Sequence, residues 1–477
     1  MTTPKNTASK TSRLPLFFIF LPVLIVAVGV AGVLLWPKVD AKYPWLGMYV
    51  RDSLHSNPVD AVQGPIHVMF AFTDHFEPDD QPTMDRWTKA YREMAAAYKD
   101  ADGRHPQHSW FWFFADAKPE ERPKFLNQLS GMAYEGLGEI EIHMHHDHNT
   151  SEQFVEMMNK ALEMTREQGS LITAEPQPRK TFAFIHGLWS LDNSRGKGAC
   201  GVNNELILLR QLGCYADFTN PSWGQMHPHM VNRLYYATDD PAKPKSYDWG
   251  QEAEVGKPGV GDLFEFTGQS VVHWKGIRPV YDHGEIEASE LPTEERIDSW
   301  IKKGVHVKGK PDWIFVKVFA HSNRAPDHEA VLGEWGRRMN KYLSTHYNDG
   351  QKYVLHYVTA REAYNIAKAA EAGKSGNPND YRDFLIKPYV NRYFYSSVPY
   401  EAISVDESKA VLRFLAPEGA AVKLRVHGHG VAVTGDAEVT GTELKTDETV
   451  VSLTVRGSGL VGITYSGLNT TLVRETA

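Results

Sequence analysis

Cysteine is scarce in this sequence of 477 residues, which contains Cys200 and Cys214 and no other. Disulfide chemistry is therefore limited to one bridge between them. In an oxidising compartment the two can pair, and otherwise they are two inert thiols. The sequence leaves both readings open.

Three further features are missing. No long basic run follows the first residues and the net charge is −8, so a nucleic-acid partner is not expected. No glycine-rich dinucleotide loop follows the first predicted strand, and internal repeats are absent. The length exceeds one ordinary domain, while 42% hydrophobic and 23% charged residues are typical of a globular protein with a substantial core.

A long hydrophobic run is present at the N-terminus. Residues 14–36 are 23 positions without a charge, about 35 Å as a helix, which is enough to cross a bilayer. Lys5, Lys10 and Arg13 precede the run without any acid, so the positive-inside rule places the N-terminus in the cytoplasm. We expect an uncleaved anchor in the inner (cell) membrane, with signal-peptide cleavage as the alternative. The main body is then periplasmic or extracellular.

Strand-like apolar runs alternate with helix-like segments through the middle of the chain. Strands are predicted at 66–73, 109–115, 139–145, 181–185, 215–219, 270–274, 313–319 and 353–359. Such alternation predicts a parallel sheet covered by helices, and the count favours an α/β fold with an irregular (β/α) barrel of about seven strands. Active sites of parallel barrels lie where strands end and the following loops begin.

The hydrophobic pattern of the sequence changes after about residue 375. From about Ser404 short alternating runs are separated by turn residues, which predicts a small all-β sandwich. Such a domain either binds sugars or packs against a catalytic neighbour. The predicted division is a cytoplasmic tail at 1–13, a transmembrane anchor at 14–36, a linker at 37–63, a barrel at 64–374 and a β-sandwich at 400–477.

Polar residues follow four of the predicted strands, and these residues suit a catalytic metal site. Because side chains alternate along a strand, His143 and His145 are expected to point to the same side. His148 can reach the same metal ion from the following loop, and Asp74 from a neighbouring strand completes the ligand set. Neutral imidazoles and carboxylates are ligands of Zn²⁺, so a divalent metal, zinc above all, is the expected cofactor. The other strand-end residues are Glu77, His186, Trp189, Asn193 and His321.

This layout resembles the polysaccharide deacetylase family (NodB-like carbohydrate esterases) over about residues 64–370. "FTDH" aligns Asp74 with the family's metal ligand, and His321 in "FAHS" matches its late histidine, which implies a general acid. The resemblance is divergent, because Thr73 stands where the base belongs and the family's Arg-x-Pro-Tyr motif is absent from "HGLWSLDNS". A replacement base is expected among His75, Glu77 and Asp79, with Glu77 preferred. His186, Trp189 and Asn193 are expected to contact substrate.

The resemblance implies a membrane-anchored, metal-dependent hydrolase that removes acyl groups from an extracellular or envelope polysaccharide. One alternative is a glycosidase of the same fold that uses Glu77 and Asp192 as a carboxylate pair. Another is a non-catalytic, glycan-binding scaffold in envelope polysaccharide assembly. The expected partners are the polysaccharide, the membrane and proteins of an envelope assembly.

Overall fold

The computed structural model describes residues 38–466 except 114, 116, 117, 197 and 276. The predicted transmembrane segment 14–36 lies outside the described residues. Within them, no helix has both the length and the apolar content needed to cross a membrane.

Most strands of the body belong to one large, mostly parallel sheet. The strands are β1 (Ile66–Phe76), β2 (His108–Trp112), β3 (Gly138–Met144), β4 (Phe182–His186), β5 (Cys214–Asp217), β6 (Leu234–Ala237), β7 (Gly250–Glu252), β8 (Leu263–Phe266), β9 (Val271–Lys275), β10 (Arg278–Asp282), β11 (Glu285–Ile286), β12 (Trp313–Ala320) and β13 (Tyr353–Val358). The sheet has the order β11-β12-β1-β2-β3-β4-β5-β8-β6-β7, and β13 pairs with the first half of β1. Strands β6 and β7 are antiparallel to their neighbours, and the other pairings are parallel.

Helices alternate with the strands along the chain and cover the sheet. They are α1 (Leu46–Ser53), α2 (Gln81–Ala95), α3 (Arg122–Tyr134), α4 (Ser151–Arg166), α5 (Glu205–Leu212), α6 (Glu294–Lys303), α7 (Ala325–Leu332), α8 (Glu334–His346) and α9 (Ala360–Glu371). Thr150 and Gln153 form a reciprocal capping box at the start of α4. α1 lies in the segment predicted as a linker, and the neighbouring Trp45 is buried and stacked on Tyr281.

The sheet is curved but open, so the prediction of a barrel needs correction. Within the described residues no ladder joins β8 to β12, although the rings of Phe266 and Phe315 on these strands are 5.4 Å apart. The side chain of Gln269 bridges the gap instead. Its Nε2 donates to Lys317 O (2.9 Å), and its Oε1 accepts from Lys317 N–H (3.1 Å). The short β8 ends before it can pair, and a side-chain amide satisfies the backbone of β12.

The two faces of the sheet carry different cores. On β1, Met69 and Ala71 belong to the core enclosed by the curved sheet, whereas Phe70 and Phe72 pack against the helices. We call these the inner and the outer face. The predicted strand at 270–274 is formed, but as β9 of a separate antiparallel pair with β10, because a return loop follows it at once.

The C-terminal part is a two-sheet antiparallel structure, as the alternating pattern predicted. Its strands are β14 (Phe394–Ser396), β15 (Tyr400–Val405), β16 (Lys409–Phe414), β17 (Ala421–Val426), β18 (His429–Gly435), β19 (Ala437–Leu444), β20 (Thr449–Val455) and β21 (Leu460–Ser466). One sheet has the order β14-β17-β20-β19 and the other β15-β16-β21-β18. Alternate residues such as Leu412, Leu424 and Ile463 form the core between them.

Candidate metal centre

Three side chains converge at the end of β1 and β3 on the inner face, and we call them the Glu77 centre. Glu77 Oε1 lies 3.0 Å from His143 Nε2 and 2.9 Å from His145 Nε2. The two Nε2 atoms are 3.0 Å apart. Glu77 and His143 are almost inaccessible, whereas 33% of the His145 side chain is exposed. One side of the centre is therefore accessible from solvent.

The strand alternation produces this convergence. Residues of odd number on β1 and β3 face inward, which places His143 and His145 beside one another and beside the residue that follows β1. Asn323 fixes the backbone of Glu77, since its Oδ1 accepts from Glu77 N–H (3.2 Å) and its Nδ2 donates to Glu77 O (2.5 Å). Arg324 Nη2 donates to Glu77 Oε2 at 2.8 Å. Oε1 is thus left for the histidines.

The hydrogen bonds and pKa shifts in the Glu77 centre favour a cation bound between its side chains. His143 Nδ1 donates to Ile185 O (2.9 Å), so a neutral His143 has a lone pair on Nε2. Burial lowers the pKa of His143, and a hydrogen bond with Glu77 opposes this only in part. Burial opposes ionisation of Glu77, but contacts with His143 and His145 hold its pKa well below the usual range. The Nε2 atoms of His143 and His145 and a carboxylate oxygen of Glu77 thus face one point, which is a ligand set for a divalent metal.

Two further histidines border the centre. The ring of His75 lies 4.7 Å from that of His143 and 4.8 Å from that of His321. Burial, with Arg324 next in effect, lowers the pKa of His321 to about 4. Burial also lowers the pKa of His75 well below its usual value, with His143 and His321 adding to the effect. Both imidazoles are therefore neutral at pH 7.

Aromatic side chains line the inner face beside these histidines. Trp189 lies 6.3 Å from His75 and 6.5 Å from His283 between ring centroids, and His283 is 4.4 Å from Trp223. Trp189 is half-buried and Trp223 is exposed. Flat, partly exposed rings beside polar groups are suited to contact with a sugar ring.

Asp74, predicted as a metal ligand, lies outside the Glu77 centre. Its even number on β1 turns it to the outer face, where it is completely buried. Its Oδ2 accepts from His108 Nε2 (2.9 Å) and from Ser322 Oγ, and its Oδ1 accepts from Ser322 N–H (3.1 Å). Asp74 thereby anchors the loop after β12, which carries His321. Glu77, predicted as the base, takes the carboxylate place among the ligands.

Three other predicted site residues also lie elsewhere. His148 is 64% exposed and pairs with its neighbour Asp147, because the loop has already turned away from the strand. His186 is buried on the outer face. Asn193 donates to Asn203 Oδ1 (2.7 Å) and accepts from Gly201 N–H (3.2 Å), so its amide holds its own loop together. Of the three residues expected to contact substrate, Trp189 alone borders the Glu77 centre.

A second group of potential ligands was not predicted. His146, His186, Cys200 and Glu205, which we call the Glu205 centre, are all buried, and their ligand atoms lie within 4.8 Å of one another. Neither cysteine is in a disulfide. The alternation that aims His143 and His145 inward aims His146 outward, and this was the signal available in the sequence. Cys200 lies in a loop and Glu205 begins a helix. The strand pattern of the sequence does not show that either residue lies near His146.

Comparison with protein-family models finds no match for this chain, and comparison with curated proteins finds no significant relative. The geometry of the site is therefore the basis for inferring function.

Proposed function

We propose that this protein is a membrane-anchored, metal-dependent hydrolase of the polysaccharide deacetylase type, which removes acyl groups from an extracellular or envelope polysaccharide. The observation that carries the proposal is the Glu77 centre at the carboxyl edge of a parallel sheet. The ligand set favours zinc, since two imidazoles and one carboxylate leave a position open for water. The membrane anchor is proposed from the hydrophobic segment 14–36 alone.

The chain's own residues suggest how such a reaction proceeds. A divalent ion in the Glu77 centre would lower the pKa of bound water and polarise the acyl carbonyl. His321, with its neutral imidazole, accepts the proton of the attacking water and then delivers it to the leaving oxygen or nitrogen of the sugar. His75 lies against both His143 and His321 and keeps the His321 ring on the side of the ligands. Trp189 and Trp223 offer stacking surfaces for the polysaccharide.

The glycosidase alternative finds less support. It needs two carboxylates open to the scissile bond, and Asp192 is completely buried. Asp192 Oδ2 accepts the N–H of Ser246 at 2.6 Å, so the carboxylate faces a loop. Glu77 is already engaged by His143, His145 and Arg324.

A pair of histidines from the same run tests the proposal. We expect His145→Gln to remove the metal of the Glu77 centre and to lower acyl release from an acylated polysaccharide by roughly 100-fold or more. His148→Gln is the matched control, because His148 is exposed and forms its ion pair with the neighbouring Asp147. Both metal content and turnover should stay at the wild-type level in this variant.

Acetate release, new reducing ends and metal content are measured on the same samples. Release of reducing ends instead of acyl groups would favour the glycosidase. Glycan binding without turnover at full metal occupancy would favour the scaffold. Equal metal content in His145→Gln and His148→Gln would contradict the proposed centre.

A further inference from the structure

The Glu205 centre lies on the outer face, behind the strands that form the Glu77 centre. His146 follows β3, His186 ends β4, Cys200 lies in the loop after β4, and Glu205 begins α5. His146 Nε2 is 3.0 Å from Glu205 Oε1 and 2.9 Å from His186 Nε2. His186 Nε2 is 3.6 Å from the same carboxylate oxygen, and Cys200 Sγ is 3.6 Å from Glu205 Oε2.

The hydrogen bonds of this group leave one buried imidazole nitrogen, His146 Nδ1, without a partner among the described residues. His186 Nδ1 donates to Gly187 O at 2.6 Å, so its Nε2 presents a lone pair to His146 and Glu205. The tautomer of His146 is therefore not fixed from the Nδ1 side. The N–H of Val202 donates to Cys200 Sγ at 3.4 Å, and the Cys200 thiol donates to Glu205 Oε2. Burial, with Glu205 next in effect, raises the pKa of this thiol. The thiol proton of Cys200 and one proton on His146 Nε2 lie among these converging groups, and a bound metal ion would replace both.

The composition of the group indicates which ligand it takes. Two imidazoles, one thiolate and one carboxylate are a four-membered set for zinc. When a metal displaces the thiol proton, the thiolate and the carboxylate together carry two negative charges, which a divalent ion would neutralise inside the protein. All four side chains are buried, so no position is open to water or substrate. Closed four-ligand sites of this kind are structural.

The loop that this centre holds is the one that borders the Glu77 centre. It carries left-handed backbone conformations at four residues that are not glycine, namely Leu188, Trp189, Asp192 and Asn193. Such conformations persist where the surroundings impose them. Glu205 Oε2 accepts the N–H of Asp192 (2.6 Å), and Cys200 O accepts the N–H of Asn149 (3.1 Å). The loop after β3 and the loop after β4 are therefore joined through this group.

We propose that His146, His186, Cys200 and Glu205 bind a second divalent metal ion, a structural zinc that fixes the loop carrying Trp189 over the Glu77 centre. This site is independent of the reaction proposed above. It would remain if the Glu77 centre had another function.

Cobalt substitution of the full-length chain tests the site, because a thiolate bound to Co²⁺ gives a charge-transfer band in the near ultraviolet. We expect two metal ions per chain and this band in the wild type. Cys200→Ser should lose the band and one metal ion. Cys214→Ser is the matched control, since Cys214 is also buried but lies on β5, where its Sγ donates to Ala216 O. It should keep both metal ions and the band.

His145→Gln separates the two centres, because it should lose one metal ion and keep the band. The chain contains two cysteines, so a band retained in Cys214→Ser assigns Cys200 even where Cys200→Ser does not fold. The proposal is overturned by a wild type without the band, by a band that survives Cys200→Ser, or by a band lost in Cys214→Ser or in His145→Gln.

Discussion

His321 and Arg324 lie close together after β12, and their charges determine when His321 can accept a proton. Burial is the larger cause of the low pKa of His321, about 4, and the cation of Arg324 is the second. A lowered pKa leaves the imidazole neutral at every pH well above 4. The base form is lost as the pH falls through this value, so kcat/KM should decline there on the acid side.

Replacing Arg324 should move that acid limb. Arg324→Gln removes a cation next to His321, so the pKa of His321 rises and the acid limb of kcat/KM moves to higher pH, by on the order of one unit at low ionic strength. Arg324→Lys keeps the charge and should leave the limb near the wild-type position. The measurement is the pH profile of acyl release for the three proteins. An acid limb at the same pH in Arg324→Gln would contradict the role of His321 as proton acceptor.

The inward direction of His143 and His145 could be predicted from the sequence, because side chains alternate along a strand. The same rule, applied to β1, would have turned Asp74 outward with Phe70 and Phe72. The family resemblance instead assigned Asp74 to the metal. The choice of Glu77 as ligand could not be predicted, since it depends on Asn323 and Arg324, which come from a loop almost 250 residues later in the chain.

At the scale of elements, the turn from β4 into its loop connects the two centres. Gly187 is the contact point, because a Cβ built there would lie 2.4 Å from Cγ and 2.5 Å from Nδ1 of the His145 ring. The preceding residue, His186, belongs to the Glu205 centre on the opposite face. One turn of backbone therefore packs against a ligand of the first centre and carries a ligand of the second.

Gly187→Ala should accordingly weaken metal binding at the Glu77 centre. The added methyl group displaces the half-exposed ring of His145, and we expect the zinc affinity of this centre to fall by roughly 10- to 100-fold. The check is a zinc titration against a chelator of known affinity. Gly441→Ala in β19 is the control, since its nearest neighbour would be Ser452 Cβ at 3.9 Å. Unchanged affinity in Gly187→Ala would show that His145 is not held by this contact.

Local pattern predicted most elements, including the strands that border the site. It did not predict the open side of the sheet. The sheet is open between β8 and β12 because β8 is short, and one side chain, Gln269, bridges the gap. Neither property appears in hydrophobic periodicity, which reports which face of an element is buried and not which strand lies beside it.

At the scale of the whole molecule, the sheet body and the C-terminal sandwich share a buried polar contact. Glu448, just before β20, accepts from Tyr134 Oη of α3 (2.9 Å) and from Arg425 Nε (2.8 Å). The ring of His427 stacks on Tyr134 with centroids 3.8 Å apart. Burial opposes ionisation of Glu448, but the bonds from Arg425, Lys445 and Tyr134 hold its pKa below the usual value. The sandwich is thereby bonded to the end of the helix that precedes β3.

Glu448→Gln should therefore destabilise the whole chain and alter its acid sensitivity. A carboxyl group with a lowered folded-state pKa stabilises the fold above the unfolded pKa, about 4.3, and the stabilisation disappears as the pH falls below it. We expect the variant to lose about 1–3 kcal/mol of unfolding free energy at pH 7. Its loss of stability on acidification below about pH 5 should be smaller than in the wild type.

Urea unfolding at pH 7 and pH 4, followed by fluorescence and circular dichroism, measures both effects. Glu438→Gln on β19 is the control, because Glu438 and its partner Arg456 are both exposed. An exposed ion pair contributes at most about 1 kcal/mol to stability. Since Glu448 joins the two parts, the wild type should unfold in one transition by both probes. Two separate transitions in the wild type, or equal effects of Glu448→Gln and Glu438→Gln, would show that the sandwich is stable independently of the sheet body.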